Sequence, residues 1–273
     1  MRVRRYILPR SFQDAAITSF LMIIIPFIYY FEIFVVLPHF YILWSPAFIF
    51  HLCTGTFILW NLCSNIMAII LCDNSIKGLF LPSVLGHDWK FCSVCESITP
   101  PRSWHCDICN VCILKRDHHC KFTSCCIGHF NHRYFYVFVV YMFVATLYAS
   151  IYNFYFIYDV VHFDTLGSLL KLVFPIAALF VFFTYKEVYL AATLLTVFGA
   201  MFTGVLLVFH SKLIMRNKTT HEKHYSKYNR GRIENMKDVF GERWYLVWLS
   251  PLIESKLPQD GVNWITSESN KSK

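Results

Sequence analysis

Charged side chains are scarce in this chain. They make up 15% of its 273 residues, against about a quarter in soluble domains. A soluble globular protein of this length is excluded, because it would lack the polar surface to cover itself. Acidic residues are scarcer than basic ones, 17 against 25, and the net charge is +8. In so apolar a chain that excess belongs to segments facing anionic lipid, not to nucleic acid. A small-residue cleavage site is missing behind the basic start Met1-Arg2-Val3-Arg4-Arg5. The apolar run that follows therefore reads as a retained membrane span and not as a signal peptide. Internal repeats are absent beyond paired Cys-x-x-Cys units, and with them the repeated halves of a transporter.

What the chain does have is apolar sequence: 56% hydrophobic residues, 18% aromatic, and a mean hydropathy of +0.45. A helix needs about 20 apolar residues to cross a bilayer. Four runs qualify: about 15–36, 47–71, 134–157 and 188–209. A fifth, Leu169–Thr184, is short and carries Pro175. Basic residues decide its reading. They cluster at the N-terminus (Arg2, Arg4, Arg5, Arg10), in the centre (Lys90, Arg102, Lys115, Arg116, Lys121, Arg133) and after the last run (Lys212, Arg216, Lys218, Lys223, Lys227, Arg230, Arg232). If all three clusters face the cytosol, an even number of spans separates each pair. The expected fold class is thus an all-α polytopic membrane protein with four transmembrane helices. Residues 1–14 form a cytosolic N-terminus, 15–71 hold spans 1 and 2, and 72–133 form a cytosolic block. Residues 134–210 hold spans 3 and 4 with a re-entrant or lumenal helix at 169–184, and 211–273 form a cytosolic tail.

Within the spans, Glu32, His51, Asn61 and Asn65 are polar residues at positions where polarity is costly. Asn61 and Asn65 share a helix face and are expected to bond a neighbouring helix. Glu32 is expected near a span end. In the tail, Ile233, Met236, Val239, Phe240 and Trp244 fall on one helical face, expected to pack on the domain or the membrane surface.

The block between spans 2 and 3 carries the chemistry. Cys92-Ser-Val-Cys95 is followed by His105-Cys106-Asp-Ile-Cys109-Asn-Val-Cys112, then Asp117-His118-His119-Cys120, then Cys125-Cys126. Cys-x-x-Cys places two sulfurs on one zinc, and overlapping pairs with interleaved histidines point to zinc rather than to disulfides. A block this small and polar needs metal to hold its fold. Eight ligands fill two structural sites, and the block has more candidates than eight, so at least one thiol is left over. In Asp117-His118-His119-Cys120 an imidazole can take a thiol proton and a carboxylate can orient that imidazole. Spacing alone is equally consistent with further zinc ligands there.

Asp117-His118-His119-Cys120, in this Cys/His framework between pairs of spans, resembles the DHHC protein S-acyltransferases (palmitoyltransferases). Pro101-Arg102, Gly128, Asn131, Phe135, Thr219-Thr220-His221-Glu222, and Asn235 with Val239-Phe240-Gly241 extend the likeness over nearly the whole chain. The resemblance implies one zinc on Cys92, Cys95, His105 and Cys112, and another on Cys106, Cys109, His119 and Cys126. It implies Cys120 as the acyl-carrying nucleophile, His118 as its base, Asp117 as the residue orienting His118, and Thr219 or Thr220 supporting Asp117, with Glu222 in the same tail motif. The implied reaction moves a long-chain acyl group from acyl-CoA through Cys120 to membrane-proximal cysteines of proteins, at an endomembrane (Golgi or ER) facing the cytosol, with no nucleic acid involved. Two departures stand out. Lys121-Phe122 replaces the family's Pro-Trp, and Cys125 replaces an Asn. A membrane zinc adaptor that has lost turnover is the alternative these departures raise.

Overall fold

The computed structural model describes residues 2–79, 86, 88–160, 174, 184–222 and 227–266. The short apolar run at 169–184 lies outside the described residues apart from Phe174 and Thr184, and so does the tail end at 267–273.

Among the described residues, four helices are long and apolar enough to cross a membrane: Phe12–Phe40, Pro46–Leu71, His132–Val160 and Tyr185–Met215. Hydrocarbon leaves no solvent for unpaired peptide groups, so an apolar run of this length closes its backbone bonds internally as a helix. The helices run beyond the apolar stretches, taking in Gln13, Asp14, Ser211 and Lys212, because nothing in the helical ladder stops at the edge of the apolar segment. Local caps set the starts. Ser11 Oγ accepts the Asp14 N–H at 3.1 Å, and Ser45 Oγ accepts the Phe48 N–H at 3.2 Å, with Pro46 in the first helical position.

Chain contacts form two compact units. The first comprises Met1–Met22, Cys63–Phe138 and Val208–Lys273; the second comprises Ile23–Leu62 and Val139–Leu207. In the second unit, span 1 carries a π-helical turn at Glu32–Val36, well inside the helix and not at its end. The extra residue of a π turn turns a side chain out of register. Glu32 Oε1 there accepts from Asn153 Nδ2 at 2.7 Å, and Asn153 also reaches Thr196 Oγ1 at 3.4 Å. A half-buried carboxyl in span 1 is thus hydrogen-bonded to span 3 and, through Asn153, linked to span 4. His51 bonds Tyr148, and its Nε2 lies 3.3 Å from the Tyr152 hydroxyl. Asn61 is fully buried and donates to Phe57 O of its own helix at 3.1 Å.

The first unit is built on three antiparallel hairpins in the block between spans 2 and 3: β1 (Lys90–Cys92) with β2 (Ser97–Thr99), β3 (Trp104–Cys106) with β4 (Val111–Ile113), and β5 (His118–Cys120) with β6 (Cys125–Ile127). The spans are helical throughout, while this block is short strands and turns. Gly128 follows β6 because a Cβ there would stand 2.6 Å from Leu114 O. The tail folds onto the same unit through a short helix, Arg232–Phe240, whose Val239 and Phe240 are 2% exposed. Gly241 ends it at φ 81°, a backbone open to glycine and strained for other residues.

Candidate active site and metal centres

The three hairpins are copies of one another in register. Cys92, Cys106 and Cys120 recur every 14 residues, as do Cys95, Cys109 and Thr123. Next in each copy come Glu96, Asn110 and Ser124, at φ 49°, 48° and 51°. That left-handed residue closes each turn and curls the loop so that its first and fourth side chains face one point. Each Cys-x-x-Cys then joins a His and a Cys of the following copy. Cys92 and Cys95 meet His105 and Cys112; Cys106 and Cys109 meet His119 and Cys126. Strand register brings the second pair of each set together, since His105 opposes Cys112 and His119 opposes Cys126.

Both sets have the dimensions of a zinc site. His105 Nδ1 stands 3.8, 3.2 and 3.9 Å from the sulfurs of Cys92, Cys95 and Cys112. His119 Nδ1 stands 3.6, 3.3 and 3.7 Å from those of Cys106, Cys109 and Cys126, and Cys109 Sγ is 3.8 Å from Cys126 Sγ. A tetrahedral zinc with ordinary bond lengths separates its ligands by about 3.6 Å (S···N) and about 3.8 Å (S···S). Thiolate and imidazole donors at these separations suit two structural zinc ions. Asp14, in the first turn of span 1, adds a carboxylate that sequence reasoning did not find. Its Oδ2 lies 3.1 Å from His119 Nε2, where it holds the ring with Nδ1 toward the metal.

In the third copy Cys120 holds the first ligand position, but Thr123 holds the second. One repeat further on, the places of the His and the last Cys fall to Arg133 and Val140, both in span 3. Cys120 therefore occupies a metal-binding turn without the partners that would close a metal around it. Its sulfur meets other groups instead. Burial pushes the thiol up, but hydrogen bonds from His118, Thr123 and the Phe122 N–H, with the His118 charge, bring it below its ordinary range. His118 Nδ1 donates to Asp117 Oδ2 at 2.7 Å. Burial opposes the His118 cation, yet its bonds to Asp117 and Cys120 raise it to about 9. Burial likewise opposes the Asp117 carboxylate, and the His118 bond and surrounding imidazoles hold it well below the usual carboxylate range. The arrangement is a thiol, an imidazole and a carboxylate in series, with the charged form of each favoured by its neighbour.

Of the two threonines expected near Asp117, Thr220 makes the contacts. Its N–H donates to Asp117 Oδ1 at 3.0 Å and its hydroxyl to the Asp117 carbonyl. The Thr219 N–H goes instead to Glu222 Oε2 at 3.0 Å. Glu222 receives Arg102 in a two-point bond at 2.8 and 3.0 Å, and Arg102 also donates to Asn217 Oδ1 and O at 2.9 Å. The tail motif is thus keyed to the cysteine-rich block by one buried guanidinium. Lys121 Nζ bonds Gln13 Oε1 at 3.1 Å. Cys125 stands opposite Cys120. Burial pushes its thiol to about 12, and it donates to Thr123 Oγ1 at 3.5 Å. Two further histidines were missed from sequence, His132 and His210. Both are ionisable residues near the ends of spans, which is the signal that marks them.

A family model described as DHHC palmitoyltransferase matches residues 86–227. That stretch includes all three hairpins and the Thr219–Glu222 motif. The chain belongs to the DHHC palmitoyltransferase family. Within that family it is similar to "Probable palmitoyltransferase ZDHHC24" of Danio rerio, 36% identical over 231 residues, covering 82% of this chain and 78% of the relative. The Homo sapiens protein of the same name is 35% identical over 231 residues, covering 79% and 78%. "Probable protein S-acyltransferase 16" of Arabidopsis thaliana is 29% identical over 183 residues, covering 61% and 59%. Of the DHHC residues themselves, Asp117 immediately precedes β5 and His118 to Cys120 form that strand.

Proposed function

We propose that this protein S-palmitoyltransferase works by thioester exchange at Cys120, with His118 as the base and Asp117 orienting it. The observation that carries the reading is Cys120 in an unclosed metal-binding turn, its thiol lowered by His118, which is itself bonded to Asp117 at 2.7 Å. In the first half, the Cys120 thiolate attacks the acyl-CoA carbonyl carbon. A new C–S bond forms, the bond to the CoA sulfur breaks, and the departing thiolate takes the proton held on His118. In the second half, an acceptor cysteine gives its proton to His118 and attacks the Cys120 thioester, and Cys120 leaves as thiolate. Asp117 keeps the Nδ1 proton in place, so His118 exchanges protons only at Nε2.

The zinc ions at the two four-ligand sites supply folding free energy and no step of the reaction. Cys92, Cys95, His105 and Cys112 hold one, and Cys106, Cys109, His119 and Cys126 hold the other. Thr220 and the Arg102–Glu222 pair keep Asp117 in place from the tail. The acceptor is a membrane-proximal cysteine of a protein, because the acyl donor and the spans share a bilayer. The basic clusters support a site that faces the cytosol, and an endomembrane, Golgi or ER, is the proposed location. No observation favours the adaptor alternative. The test is transfer in vesicles: purified protein, labelled palmitoyl-CoA and an acceptor with a membrane-proximal cysteine. Labelled acceptor together with released CoA, both lost in Cys120→Ser, supports the reading. Transfer that persists in Cys120→Ser contradicts it.

A further inference from the structure

Two buried imidazoles converge on Asp117, and the proposed chemistry uses neither. His210, near the end of span 4, is 3% exposed. Its Nδ1 has no hydrogen-bond partner and lies 3.9 Å from Asp117 Oδ2. The ring packs against Phe135 edge-on at 4.9 Å and leans on His118 at 5.6 Å. His132, at the start of span 3, is buried with both ring nitrogens unpartnered and feels the Asp117 charge. An unpartnered buried polar atom is costly, and it calls for a ligand.

Asp117, His118 and His210 bring one donor atom each to within 4.8 Å of one another. Two imidazoles and one carboxylate with an open fourth position form a donor set zinc accepts. The set shares no residue with the two four-ligand clusters. We propose that Asp117, His118 and His210 form a third, exchangeable Zn2+ site whose filling stops acyl transfer.

The inhibition follows from which atom the metal takes, and it rests on His118 being the base. Asp117 Oδ2 and His118 Nδ1 are 2.7 Å apart, while an oxygen and a nitrogen on one zinc stand about 3.3 Å apart. A small opening of the pair admits the ion. Zinc on Nδ1 displaces that proton, so the neutral ring carries its remaining proton on Nε2. Nε2 then has no lone pair with which to take the proton of Cys120 or of an acceptor thiol. The third site has three protein ligands and no thiolate, so its ion exchanges while the two four-ligand sites keep theirs.

The test counts metal before it measures activity. Untagged full-length Cys120→Ser, which offers no thiol at this position, is dialysed against buffered Zn2+ and its zinc per chain is measured. The expected count is three, falling to two in Cys120→Ser with His210→Ala. A His210→Phe version, which fills the same space, repeats the count, and two retained ions show the block is folded. In the turnover assay, each protein is compared with its own rate without added Zn2+, its two four-ligand sites filled. Zn2+ should inhibit the wild type at concentrations at least tenfold lower than it inhibits His210→Ala. A count of two in Cys120→Ser, or a third ion retained without His210, overturns the proposal. Because the count does not depend on turnover, failure of acyl transfer would contradict the reaction assignment and leave this result standing.

Discussion

At Cys120 three missing ligands, replaced by Thr123, Arg133 and Val140, separate a structural turn from a reactive one. In the first two hairpins the fourth loop position is Cys95 or Cys109; in the third it is Thr123. A second thiol there would give Cys120 a metal-binding partner, whereas a hydroxyl donates a hydrogen bond and leaves the sulfur free. The charge a metal would have supplied comes from His118. His118 lowers the Cys120 thiol and is itself raised to about 9, so each charge favours the other. Alkylation by a neutral reagent should therefore fall less between pH 9 and 7 than it does without His118. In His118→Ala the burial that raises the thiol loses its main opposition, and the same pH change should slow alkylation about tenfold or more. A wild-type rate that falls as steeply as the variant's would contradict the ion pair. Asp117→Asn keeps the shape of the site but not the carboxylate that selects the His118 tautomer. It should lower transfer about 10²–10⁴-fold with zinc content unchanged.

At the scale of the hairpins, the sequence was legible where the geometry is local. Cys-x-x-Cys spacing reports a turn of four residues, and the eight residues that the family resemblance allots to zinc are those the fold gathers into two four-donor groups. The 14-residue register was harder to see, because its third copy replaces a cysteine with Thr123. Asp14 could not be read at all. It lies 105 residues from His119, and only the folded chain brings span 1 to the second zinc cluster. Asp14→Ala should weaken the second zinc about 10–100-fold while the first is unaffected. A chromogenic chelator should then remove one ion per chain faster than in the wild type; equal release of both would show that Asp14 does not hold the ring.

At the scale of the whole chain, spans were legible from composition, because a bilayer demands apolar length and little else. Side-chain partners in the interior were not: Glu32 reads as a span-end residue and proves to be a hydrogen-bonded residue of a π turn. The tail shows the same limit. Asn217 sits in an Asn-Lys-Thr glycosylation sequence but is 2% exposed, donating to Tyr228 O and Asp238 Oδ2 and accepting from Arg102. A folded tail gives no access to that side chain, so the absence of sugar there does not report which side of the membrane it faces. Arg102 stacks on Tyr228 and Trp264 as well as pairing with Glu222. Arg102→Ala leaves the half-buried Glu222 carboxylate unpaired and should destabilise the first unit by at most about 3–5 kcal/mol, seen as a lower Tm in detergent with both zinc ions still bound below it. An unchanged Tm would remove Arg102 as the key between block and tail.

The most direct test of the account is acyl loading on Cys120. Detergent-purified, zinc-loaded protein is incubated with alkyne-tagged palmitoyl-CoA, coupled to a reporter, and treated with neutral hydroxylamine. The account predicts a label that hydroxylamine removes and that Cys120→Ser lacks. Folded wild-type protein that takes no label, or a label that survives in Cys120→Ser, would contradict it.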